Sequence, residues 1–150
     1  MARPRLLTLV VLGLAVASTL ADAGSQRIHV TAKIVEATFI GDPENPKIGD
    51  RSINSVVMFD EHDMEVGTGT GICTIISLPP QDTLFQCFLT SVFDQKGQII
   101  FGGIVPPPDI GAVGHFGILG GTGDFRTARG EVTLVVITPD LQDATFDIES

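Results

Sequence analysis

This chain has no tryptophan and no tyrosine, and it sets nine lysines and arginines against eighteen aspartates and glutamates. A surface that acidic repels nucleic acid and anionic lipid, so both drop out as partners. No basic stripe with interleaved aromatics exists to offset it. Helical periodicity is nearly absent. Runs of Val, Ile, Phe and Thr are punctuated by Gly and Pro instead. Repeats and linkers are missing too, and no nucleophile–base triad can be assembled.

Two glycine-rich stretches lack what a phosphate cradle needs. Gly67-Thr68-Gly69-Thr70-Gly71 is followed by no helical pattern, and Gly121-Thr122-Gly123 lacks the third glycine of a dinucleotide fingerprint. Their glycines read as tight bends and close backbone approach. Arg126 and Arg129 beside the second stretch are expected to pair with Asp124 or Glu131. Asp60, Glu61, His62, Asp63 and Glu65 form an acidic cluster whose spacing fits neither a calcium loop nor a zinc motif. It reads as a solvated turn, and neither a metal nor a cofactor is expected.

What the chain does have begins with a leader. Arg3 and Arg5 precede an apolar stretch from Leu6 to Leu20, too short for a comfortable membrane span, and Ala21-Asp22-Ala23 has the small residues of a cleavage site. Residues 1–23 are therefore read as a secretory signal peptide, and the protein as secreted, with no membrane association after cleavage. Residues 24–150 then form one domain, large enough for a real core. Its two cysteines, Cys73 and Cys87, remain in an exported chain. A hairpin with its loop near Leu78 to Asp82 sets Cys73 opposite Cys87 and Ile75 opposite Phe85. A cross-strand disulfide and two buried thiols are both open to that arrangement.

Runs of β-formers between breakers predict eight strands, near 28–40, 53–60, 67–78, 83–94, 98–105, 112–119, 129–137 and 143–149. Short connections such as Asp94-Gln95-Lys96-Gly97 imply antiparallel hairpins. Gly41 to Arg51 is one long polar loop, and Pro106-Pro107-Pro108 is a stiff extended connector. Strands at this spacing make a sandwich or a barrel. Nine phenylalanines, Phe59 among them, supply a core and an apolar lining.

The first strand carries the sharpest chemical signal. Even positions from Ile28 to Ile40 are apolar except for Glu36 and Thr38, so period-two geometry puts the Glu36 carboxylate among aliphatic neighbours. Burial there would raise its pKa and suit it to general acid/base work. Should the even face point outward instead, Glu36 would pair with an arginine at a subunit contact.

The run Gly120-Gly121-Thr122-Gly123-Asp124-Phe125-Arg126-Thr127-Ala128-Arg129-Gly130-Glu131-Val132 resembles the glycine-rich turn of dirigent proteins and allene oxide cyclases. Val56-Val57-Met58-Phe59-Asp60-Glu61 is similar to a dirigent strand end. Gly69 to Ile76 and Gly97 to Pro106 are similar to cyclase strands. The resemblance covers most of residues 24–150. It implies an eight-stranded antiparallel up-and-down β-barrel whose lumen takes a reactive hydrophobic small molecule, and a possible homotrimer.

By the same resemblance Glu36 matches a lumen glutamate and Cys73 a lumen cysteine. Thr38 and Glu61 stand where the cyclases carry asparagines. His115 stands where dirigent proteins carry an acid, and an imidazole there could take over proton transfer. The cyclases' tyrosine has no counterpart. These residues, with Phe59, make up the expected site: Glu36 catalytic, and Thr38, Phe59, Glu61, Cys73 and His115 against the substrate. The expected function is a cofactor-independent cyclase or isomerase, or else a dirigent-like protein that orients radical coupling or carries a lipophilic metabolite.

Overall fold

The computed structural model describes residues 24–149, so the expected signal peptide lies outside the described residues. Eight antiparallel strands follow one another in chain order around a closed barrel. They are β1 (Ser25–Ile40), β2 (Arg51–Phe59), β3 (Glu65–Ser77), β4 (Leu84–Phe93), β5 (Gly97–Val105), β6 (Val113–Gly121), β7 (Arg129–Thr138) and β8 (Leu141–Glu149). β8 returns to pair with β1, with Glu149 opposite Ser25 and Leu141 opposite Lys33. That last pairing closes the ring and decides between barrel and sandwich.

The two ends of the barrel are built differently. At one end β2–β3 and β4–β5 are joined by tight turns at residues 60–64 and 94–96. The Asp60 carboxylate organises the first of these, accepting from the backbone N–H groups of His62 and Met64 at 2.9 and 3.0 Å. At the other end lie the polar loop 41–50, the segment 78–83 and the proline connector 106–112.

The tight-turn end is sealed by the glycine-rich run. It makes one turn of 3-10 helix, Gly123–Phe125, and drops Phe125 into the barrel. The Phe125 ring packs 5.3 Å from Phe93, Phe93 packs 5.3 Å from Phe146, and Phe101 stands edge-on to Phe146 and Phe116 at 5.6 and 5.7 Å. Offset and edge-on rings suit the aromatic quadrupole, so this floor gains beyond the area it buries. Glycine is required where the run touches the β4–β5 turn. A Cβ on Gly97 (φ 123°) would lie 2.1 Å from the Thr122 carbonyl oxygen, and one on Gly123 (φ 61°) 2.3 Å from that of Lys96.

Inward and outward residues alternate along each strand as the pleat demands, with one interruption that matters. β1 pairs Ile34 with Val56 and then Glu36 with Ser55, leaving Val35 as an extra residue. Such a bulge breaks the alternation, so positions counted as one face before it belong to the other face after it. The outer wall is uneven in charge. Arg27 pairs with Asp147 across β1–β8, and His115 meets Glu131 at 3.0 Å across β6–β7. From Val66 to Ser77 on β3 and along all of β4 and β5, no side chain is charged.

Candidate functional site

Above the aromatic floor the barrel holds a cavity of about 140 Å³ that opens at the loop end. Its wall is apolar: Val56 and Met58 on β2, Leu89 on β4, Phe101 on β5, Phe116 on β6 and Phe146 on β8 all face it. Pro106, Pro107 and Pro108 line its rim. Their fixed backbone makes that rim a preset aperture rather than a floppy one. The space is of the order that takes one aromatic ring, as a cavity of about 150 Å³ with aliphatic walls does.

None of the side chains around this cavity is ionisable. Its polar groups are neutral: besides Thr70, whose hydroxyl donates to the Asn54 carbonyl, and Thr90, these are Ser52 and Asn54 on β2, Ser91 on β4 and Gln142 on β8. None of the four is held by a side-chain hydrogen bond to the protein among the described residues, so each is available to a ligand. Cys73 and Cys87 sit directly opposite each other, joined in a disulfide, and form part of the wall. The lumen can therefore exclude water, fix a molecule's shape and donate hydrogen bonds. It has no proton donor or acceptor of shifted pKa to offer.

This geometry places most of the residues of the expected site away from the cavity. Glu36 is exposed and absent from the cavity wall, because the Val35 bulge turns it to the outside opposite Ser55. The same shift puts Thr38 on the exposed side, opposite Ile53. Phe59 falls on the other face of β2 by plain alternation, and Met58 rather than Phe59 reaches the lumen. Glu61 is in the exposed turn after β2, beside His62. His115 stands on the outer face of β6, its Nδ1 3.0 Å from Glu131 and 3.5 Å from the Thr133 hydroxyl. Of the six, Cys73 alone lines the cavity. Nor do Arg126 and Arg129 form an ion pair among the described residues; Arg129 donates to the Ala128 carbonyl at 3.0 Å.

The neutral polar residues were readable by the same rule that misled at Glu36. Ser52, Asn54, Val56 and Met58 alternate on β2, and Ser91 falls between Leu89 and Phe93 on the lumen face of β4. The acidic cluster after β2 is a turn, as its spacing indicated, and Asp60 at its head carries a lowered pKa because backbone N–H groups of Met64 and His62 point at the carboxylate.

Residues 25–146 match the family described as the allene oxide cyclase barrel like domain. The chain belongs to that family. Solved structures share the barrel. A pyocyanin demethylase is 25% identical over 81% of this chain and 99% of its own, with a TM-score of 0.69. An exo-specific intermolecular Diels-Alderase is 15% identical over 85% and 99%, with a TM-score of 0.71. A pterocarpan synthase dirigent protein is 18% identical over 99% and 96%, with a TM-score of 0.65. No curated protein matches the barrel-like chain in sequence. Among the described residues, no helix is long and apolar enough to cross a membrane.

Proposed function

We propose that this barrel binds one hydrophobic small molecule in its lumen and directs the molecule's stereoselective cyclisation by holding it in a single folded shape. The observation that carries this reading is the cavity above the aromatic floor, apolar, with neutral polar groups and no ionisable one. Ring closure by cycloaddition moves no proton in its concerted form, so such a lumen suits it better than acid/base isomerisation. Confinement in a near-reactive geometry is the source of rate, and hydrogen bonds from Asn54 or Gln142 to a substrate carbonyl would polarise it. The Diels-Alderase among the barrel's structural relatives lends support. Cys73 enters this reading as wall, fixed by its disulfide; Glu36, Thr38, Phe59, Glu61 and His115 do not enter it.

Export after removal of residues 1–23 belongs to the same proposal, and so does assembly into a homo-oligomer. For assembly the uncharged wall of β3 to β5 is the suitable surface, with Phe88 and Ile104 more than half exposed on it. A second reading is favoured by the same lack of charge. Shape alone suffices for a dirigent-like carrier, which would return its ligand unchanged.

The test is incubation of the protein with linear substrates that carry a diene and an activated alkene, with chiral chromatography of the products. One stereoisomer should form in excess, and Leu89→Trp, which fills the lumen, should abolish the excess. Retention of the substrates without ring formation would move the protein to the carrier reading. No retention by either form would sink both.

A further inference from the structure

One of the four uncommitted polar side chains of the lumen is more deeply buried than the rest. Ser91 is the one buried polar residue among the described residues, 5% exposed and set amid hydrophobic core. It lies on the inner face of β4 between Leu89 and Phe93, opposite Gly69 on β3 and Ile99 on β5. Phe93 belongs to the aromatic floor, so Ser91 stands two residues above it along β4, at the deep end of the cavity. No hydrogen bond ties its hydroxyl to the protein among the described residues, yet the hydroxyl is not sealed in the packing, since the residue lines the cavity. Val56 packs over Gly69 beside it: a Cβ at Gly69 would lie 2.9 Å from Val56 Cγ2 and 3.7 Å from Ser91 Oγ.

A hydroxyl that reaches only the cavity bonds to whatever occupies the cavity, so alanine at the same place would cost the fold no bond within the protein. A ligand oxygen arriving there takes up that bond. The chemistry of that ligand is further narrowed by the surrounding wall. A carboxylate or ammonium brought to this depth would be stripped of water with no counter-charge to meet it. An acceptor oxygen on an uncharged apolar frame meets a donor at one end and hydrocarbon along its length.

We propose that Ser91 is the donor that receives a carbonyl oxygen at the deep end of the lumen. The ligand class is then an uncharged apolar carbonyl compound that goes in oxygen first. This inference rests on the lumen being the ligand site, as proposed above, and adds which end of the ligand goes deepest and what it must carry.

NMR shift titrations of the purified protein with three single-ring probes test it. Acetophenone and α-methylstyrene have nearly the same shape and differ in C=O against C=CH2, and benzoate adds the charge. Ser91→Ala should weaken acetophenone about fivefold, the size of one neutral hydrogen bond, and leave α-methylstyrene unchanged. The ligand-free variant should unfold no more easily than the parent, which a purely structural serine would not allow. Benzoate should cause no shift in the lumen-facing methyl groups of Met58 and Leu89. Equal losses for the two neutral probes, or none for acetophenone, would overturn the role of Ser91 and leave its hydroxyl to a bound water. Benzoate binding as tightly as acetophenone would overturn the uncharged ligand class. If no probe binds, the lumen itself fails as the ligand site, a result distinct from the other two.

Discussion

The sealed end of the barrel and its open end make opposite use of the same strands. At the sealed end, glycines let two turns touch, Phe125 drops inward, and five phenylalanine rings lock together. At the open end, longer loops and a proline rim surround a space that the protein does not fill. One end has converted its side chains into stability, and the other has kept its neutral polar groups uncommitted. The most recognisable segment of this chain, Gly120 to Val132, is a stopper for the barrel, and none of its residues lines the cavity.

The largest effect that would separate the two ends comes from removing the stopper. Phe125→Ala should lower the unfolding free energy by about 3–5 kcal/mol, read from urea denaturation. A loss below about 1 kcal/mol would show that the floor holds without it. Next is the wall between floor and rim. Replacing both Cys73 and Cys87 with alanine should cost about 2–3 kcal/mol, since the crosslink closes a short loop of the unfolded chain, and unchanged stability would mean that strand pairing alone sets this hairpin. Leu89→Trp should reverse the pattern, losing ligand while keeping the fold. Overpacking a filled core costs about 1–3 kcal/mol, and the cavity beside Leu89 should hold the loss to the lower part of that range. Unfolding of this variant would argue that the cavity is not truly spare.

Smaller effects sharpen the outline. Glu36→Gln should change stability by less than about 0.5 kcal/mol and leave acetophenone binding as it was. A clear loss of binding would return Glu36 to the site. Asp60 should make its turn acid-sensitive. Hydrogen bonds from the Met64 and His62 backbone lower its pKa below the usual 3.8, so its contribution is present above that value and disappears as the pH falls through the depressed one. Asp60→Asn should flatten the fall in stability as the pH drops below the usual carboxylate value, measured by thermal melts. An unchanged slope would mean other carboxylates carry it.

Much of the fold was legible because its cues are local. Strand spans followed from β-formers between breakers, and the hairpin arithmetic that set Cys73 against Cys87 and Ile75 against Phe85 holds in the structure. The disulfide, open on the sequence, forms. The site was legible only in part because period-two counting assumes an unbroken strand. Val35 breaks β1, and the residue that breaks it is an ordinary β-former with no local signature. The count therefore failed for Glu36 and Thr38 while serving Ile28, Val30 and Ala32. Asn54, Ser91 and Gln142 went unremarked because neutral side chains do not stand out in a sequence as charges do. Their meaning depends on which neighbours the closed ring brings round.

A lumen in which nothing titrates has a consequence for where such a protein can work. Under the function proposed above, its rate against pH should be a plateau rather than a bell, from mildly acidic to mildly alkaline conditions, bounded only by unfolding. Under the export proposed above, the chain would meet surroundings it does not buffer. A chamber built from hydrocarbon, amides and hydroxyls would keep the same reactivity in all of them.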